Sequence, residues 1–206
     1  MLSGYQSCRD AIARLNAWRV ARGQRPASTD SASYVEARQR LPEKLLLNLA
    51  RAIGEQCANA AQSNWRWKGR VVKTVDGMTF TMPDTHKNQH EYPQATSQKP
   101  GLGFPIMRVV MIFSLAAGAV REVAIAKYSG KQVGETSLLR TLLDTILPGE
   151  VLLADCYYAT YWLFAAAWQN DFDLVCRSHV RRKIDFRRGV KLGVTGRIVV
   201  AFMTEL

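Results

Sequence analysis

Apolar positions along the chain change their spacing near residue 60, and the change divides it into two textures. Before that point they recur every three or four residues, the spacing of helices with one buried face. Ile12, Leu15 and Trp18 predict a first helix, with Gly23 as its stop. Thr29 or Asp30 is placed to cap a second helix carrying Tyr34, Ala37 and Leu41. Pro42 opens a third, on which Leu46, Leu49, Ile53 and Cys57 share a face. From Trp65 onward short runs rich in Val, Leu and Ile predict strands. Val71 to Val75 is the first and closes on Asp76-Gly77, and Met78 to Met82 is expected to fold back on it as a hairpin. Lys73 and Thr74 are polar for a central strand and leave its register open. Arg108 to Ser114 and Val120 to Lys127 predict two more strands, joined at Ala117-Gly118. Glu135 to Leu147 predicts a helix with Leu138, Leu139, Leu142 and Ile146 on one stripe and Pro148-Gly149 as its stop. Val151 to Ala154 is a buried strand ending at Asp155. Thr160 to Asn170 predicts a helix that packs Trp162, Leu163, Ala166 and Ala167, and Phe172 to Cys176 a last strand.

The resulting order, β-β-β-α-β-α-β, is that of a ribonuclease-H-like α/β fold: a mixed sheet flanked by helices, here preceded by a small helical region. The expected division is 1–60 for the helical region, a possible DNA-binding module, and 61–206 for the α/β domain. In that topology the first and fourth strands are neighbours, so Asp76 and Asp155 come together although they are far apart in sequence. Two carboxylates at adjacent strand ends offer hard oxygen ligands, the means by which proteins hold Mg²⁺ or Mn²⁺ against a phosphodiester. Aspartates also follow strands simply to cap turns and helices, and spacing alone does not separate the two readings. Asp84 to Pro105, with three Pro and two Gly, reads as a long loop. His86 and His90 stand four apart within it, but a loop does not align them and no third zinc ligand is evident. Trp65-Arg66-Trp67-Lys68-Gly69-Arg70 interleaves aromatic and basic residues. Such a segment stacks on bases or, as the favoured expectation, forms an edge whose indoles cover the core.

The residues around the two aspartates resemble one family. Val75-Asp76-Gly77-Met78-Thr79-Phe80-Thr81-Met82-Pro83-Asp84-Thr85 is similar to the first catalytic segment of bacterial transposases of the insertion-sequence-four family. Gln94 to Pro105 is similar to the linker that follows it there. Leu152-Leu153-Ala154-Asp155, with Tyr157, Tyr158 and Tyr161, resembles the second catalytic segment, and Arg182 to Gly189 a later basic segment. Leu15 to Arg19 and Ala37 to Pro42 fit the region upstream of the catalytic domain, so the resemblance runs to about Gly193. It implies an Asp-Asp-Glu site for DNA cleavage and strand transfer, with Asp76 and Asp155 as its first two acids and metal ligands. The family's third acid is a glutamate in a Tyr-Arg-Glu-Lys signature on a late helix. No such spacing follows Asp155, and Thr195 to Leu206 departs from the family altogether. The expectation is a catalytic domain cut short by a frameshift or early stop, with Mg²⁺ or Mn²⁺ weakly bound and cleavage lost; Glu205 is the one nearby acidic substitute. Two other classes stay open. One is a non-catalytic DNA-binding remnant that modulates an intact transposase, the other an unrelated metal-dependent nuclease with a third carboxylate of its own.

Charge sharpens the partner. There are 28 Lys and Arg against 17 Asp and Glu, a net charge of +11, which favours a polyanion. The basic residues thicken late in the chain, and Arg181, Arg182, Lys183, Arg187, Arg188 and Lys191 are the candidate DNA contacts. The expected partners are transposon-end DNA and a second copy or an intact transposase, as homo-oligomer or mixed oligomer, with no membrane. No signal peptide opens the chain and the apolar run from Val109 to Val120 is too short to span a bilayer, so a cytoplasmic location is expected. The four cysteines form no Cys-x-x-Cys pair, which argues for free thiols.

Overall fold

Helical spacing in the first sixty residues folds as three helices, and strand spacing thereafter folds as one sheet. The computed structural model describes residues 7–177 together with the backbone of two short strands further on. The chain divides into two compact units, Met1–Leu49 and Ala50–Leu206.

In the first unit, α1 (Cys8–Ala21) starts where the Ser7 hydroxyl accepts from the Asp10 amide and ends ahead of Gly23, whose φ of 70° only glycine adopts freely. Asn16 holds the following loop by bonding both the N–H and the C=O of Ala27. Ser31, not Thr29 or Asp30, is the N-cap residue of α2 (Ala32–Gln39) and makes no side-chain cap bond, while the Asp30 carboxylate just before it accepts from the Ala32 amide. Directly after Pro42, α3 (Glu43–Asn59) runs on into the second unit. Its expected buried stripe is not buried: Leu46, Leu49 and Ile53 are each about half exposed. The buried residue of α3 is Gly54, and a Cβ there would lie 1.9 Å from the Val120 carbonyl oxygen. Within the second unit the helix meets the sheet at Gly54, backbone to backbone.

Past α3 the second unit makes a tight turn, bridged between Trp67 and Arg70, in which Lys68 and Gly69 both have positive φ. Trp65 and Trp67 are exposed there, so the indoles do not cover the core as expected. Arg70 does the anchoring, bonding the carbonyls of Gly149 and Glu150 and the carboxylate of Asp173.

The first strand, β1 (Val72–Thr81), runs straight through Asp76-Gly77. The expected hairpin at Met78 to Met82 does not form, because those residues continue the antiparallel ladder with β2 (Ile106–Ser114) as far as Thr81 opposite Ile106. β3 (Ala119–Lys127) lies antiparallel on β2. β4 (Val151–Ala154) pairs parallel with β1, and β5 (Asp173–Cys176) parallel with β4. The order β3-β2-β1-β4-β5, antiparallel on one side of β1 and parallel on the other, is the ribonuclease-H-like arrangement. The long loop after β1 contains a helix, α4 (His86–Glu91), so His86 and His90 are one turn apart. Among the described residues they join no group of three metal-ligating side chains.

α5 (Glu135–Arg140) is shorter than predicted. The Thr141 and Thr145 hydroxyls donate to the carbonyls of Leu138 and Leu142 and draw the chain into a 3₁₀ turn at Leu143–Thr145. Its apolar stripe is buried all the same: Leu138, Leu139, Leu142 and Ile146 join Val75, Val110, Ile112 and Leu152 in the main cluster. α6 (Tyr161–Gln169) adds Leu163 and Ala167 to it. Lys73 resolves the puzzle of a cation in a central strand, for it is 4% exposed and donates to the Glu150 carboxylate and the Thr145 carbonyl. Glu150 also accepts from the Leu147 amide.

Lys73→Met leaves the Glu150 carboxylate buried and unpaired, and urea unfolding should show a loss of about 3–5 kcal/mol. Combining it with Glu150→Gln, which removes the orphaned charge, should restore most of that loss. Gly54→Ala drives a methyl into the β3 backbone and should cost about 1–3 kcal/mol in the same assay.

Candidate functional site

β1 has more strand than β4, and the mismatch creates the site. Only Val72, Lys73 and Thr74 pair with β4, the last opposite Leu153. Two residues past that last pair stand Asp76 in one chain segment and Asp155 in the other, so the register brings both acids to the same end of the β1–β4 pair. Asp76 lies within β1, not at its end, and Asp155 is the first residue beyond β4. Both are exposed.

Each carboxylate is held by backbone amides. Asp76 Oδ1 accepts from the Gly77 N–H at 2.8 Å. Asp155 Oδ1 accepts from the N–H groups of Tyr157 at 2.8 Å and Tyr158 at 3.3 Å, an Asx turn that aims the chain toward α6. Thr160 caps that helix by accepting from the Leu163 amide. Tyr158 itself enters the core and is 1% exposed.

A third acid stands beside this pair that sequence reasoning did not single out. The Glu135 carboxyl, at the start of α5, packs against Gly77 so closely that a Cβ there would meet its carboxyl carbon at 2.4 Å. The Tyr158 hydroxyl donates to Glu135 Oε2 at 3.4 Å. Burial pushes the Tyr158 pKa far above its ordinary value near 10, and the charges of Glu135, Asp76 and Asp155, with the bond to Glu135, push it further. One hydroxyl thus feels all three carboxylates. The available signal was Gly77 itself, a glycine inside a strand, which marks a close approach by something else.

Asp76 and Asp155 are hard oxygen donors on adjacent strands, and that chemistry suits Mg²⁺ or Mn²⁺. Among the described residues no group of three His, Cys, Asp or Glu side chains is gathered tightly enough to hold a metal ion. Glu135 is turned to Tyr158 instead. Arg181, Arg182, Lys183, Arg187, Arg188 and Glu205 lie outside the described residues. Lys191 belongs to β6 (Val190–Lys191), whose backbone pairs antiparallel with β7 (Arg197–Ile198). All four cysteines are free, and among the described residues no helix is long and apolar enough to cross a membrane.

No family model and no curated protein sequence matches this chain. Solved structures similar to it include two transposase complexes. One is a piggyBac transposase synaptic complex with hairpin DNA, at a TM-score of 0.46 and 10% identity over 89% of this chain and 39% of that one. The other is the Mos1 strand transfer complex, at a TM-score of 0.33 and 11% identity over 88% of this chain and 62% of that one. The chain therefore spans less than two thirds of either protein.

Because the folded state holds the Tyr158 proton more tightly than the unfolded state does, its contribution to stability is complete below pH 10 and is lost as pH rises beyond that. Unfolding free energies measured between pH 9 and 11.5 should fall more steeply for the native chain than for Tyr158→Phe, by up to about 1.4 kcal/mol per pH unit. Parallel pH profiles would show that the hydroxyl is not buried among these charges.

Proposed function

We propose that this chain carries a transposase-type domain for DNA cleavage and strand transfer, with Asp76 and Asp155 as its first two acids. What supports the reading is that Asp76 in β1 and Asp155 just past β4 each stand two residues beyond the last β1–β4 pair of a ribonuclease-H-like sheet. The resemblance of both flanking segments to insertion-sequence-four transposases supports it. A divalent cation bound by the two carboxylates would neutralise charge on a phosphodiester and act there as a Lewis acid. The chain's own part is to fix one oxygen of each carboxylate with backbone amides and to leave the rest of each group open to solvent. DNA is the substrate and partner, held by the basic late segment, with a second copy or an intact transposase as an oligomeric partner. With no third ligand gathered onto the pair among the described residues, this reading has the cation weakly held and cleavage by this chain slow or absent.

A second reading follows from the seat of Glu135 against Gly77. If Glu135 leaves Tyr158 and closes on the pair, the chain holds a three-carboxylate nuclease site of its own. The two readings part in one experiment. Paramagnetic broadening by Mn²⁺ should report binding that Asp76→Asn and Asp155→Asn both abolish; binding that survives both substitutions would sink either reading. A transposon-end duplex with Mn²⁺ should then show no nicking above the Asp76→Ala control. Nicking that needs Asp76 and is lost in Glu135→Gln would favour the second.

Duplex binding should be tight at low salt and weaken with a log–log slope of about 0.9 for each phosphate contacted. Charge reversal at Arg181, Arg182, Arg187 and Arg188 should weaken all sequences alike and flatten that slope. An unchanged slope would place the DNA elsewhere on the chain.

A further inference from the structure

At the other end of β1, where the chain enters the sheet, lies a cavity of about 500 Å³ between the last turns of α3, the start of β1 and the segment before β4. Four cations line it, Arg51, Arg66, Lys73 and Arg121, against the carboxylates of Glu55, Glu122 and Glu150. Two of the cations are already matched. Arg51 bonds Glu122 through Nε at 2.9 Å and Nη2 at 2.8 Å, and Lys73 is paired with Glu150. Arg121 is different, for its Nη1 is shut off from solvent and has no hydrogen-bond partner among the described residues. Arg66 has no ion-pair partner among them either, and the lining keeps one positive charge in excess.

A guanidinium N–H that is buried and unbonded carries its full desolvation cost, which native structures avoid unless something else accepts the bond. A water molecule would accept the N–H but leave the charge uncompensated. An anion does both. Two guanidinium groups offer several donors in fixed planes, which suits the oxygens of a phosphate better than those of a small monatomic ion.

We propose that this cavity is a phosphate-binding site, with Arg121 and Arg66 as its anion contacts and the Arg51–Glu122 and Lys73–Glu150 pairs as its walls. The phosphate is either a free anion or one group of a DNA backbone. The site is separate from Asp76 and Asp155 and does not depend on DNA cleavage.

Thermal unfolding of the full chain in inorganic phosphate, against chloride at equal ionic strength, tests the free anion. Duplex binding at low salt tests the backbone source. The variants are Arg121→Met and Arg66→Gln. Arg140→Gln is the control, since it removes a cation that stacks on Trp162 and does not line the cavity. A phosphate-dependent rise in Tm in the native chain and the control, reduced at least tenfold in apparent affinity in both variants, assigns a free-anion site. No phosphate effect, with duplex affinity at least tenfold lower in both variants than in the control, assigns a DNA backbone phosphate. If both variants match the control in both assays, the proposal is wrong. If Arg121→Met fails to fold, Arg66→Gln decides by the same criteria.

Discussion

β1 is shared unequally by its two neighbours, and the rest of the α/β unit follows from that. It pairs with β2 over nine residues, from Lys73 to Thr81, but with β4 over three. Where β4 stops, β1 continues with one side unpaired by any strand of the sheet, and Asp76 and Asp155 stand at the gap. The parallel register is pinned at the other end. A strand shifted by one residue turns every side chain to the opposite face. Lys73 would then leave Glu150, stranding a buried carboxylate without its ion-pair partner. A buried ion pair adds little net stability, but it penalises the wrong register heavily. The same pair that fixes the register therefore helps bring Asp76 and Asp155 to the same end of the β1–β4 pair.

Much of this was legible in the sequence. The apolar runs located all five strands of the sheet, and their order with α5 and α6 gave the mixed topology. What failed did so for local reasons. Gly77 reads as a turn, because glycine after aspartate usually is one; here it is extended, and its missing side chain makes room for Glu135. Lys73 reads as a misfit because its partner lies far away in sequence at Glu150. The α3 stripe reads as a buried face by period alone, yet period does not say which side meets the sheet. Gly54 decided that through backbone contact with Val120, a long-range fact. For the site, a strand followed by aspartate could be seen twice, whereas Glu135 stood only as the first residue of a predicted helix.

The carboxylates draw their donors from the chain itself. Asp76 and Asp155 are exposed, and one oxygen of each accepts from backbone N–H, that of Gly77 for Asp76 and those of Tyr157 and Tyr158 for Asp155. Tyr158 is the buried member of the group. Burial and the surrounding carboxylates make its hydroxyl hold its proton, and so it serves as a donor to Glu135.

The position of Asp155 is in this way a property of the core. Its carboxylate is set by the amides of Tyr157 and Tyr158, and Tyr158 is set by packing among residues of α5, α6 and β4. Asp76 is set by the β1–β2 ladder, whose Val75, Val110 and Ile112 pack in the same cluster as Leu138 and Leu139 of α5. One core therefore backs both aspartates, on the side where parallel strands carry their carboxyl ends and open α/β sheets leave room for ligands. The buried Lys73–Glu150 pair works with the bonds from Arg70 to the Gly149 and Glu150 carbonyls, and with the bond from the Val151 amide to the Val71 carbonyl, to tie the start of β1 to the start of β4.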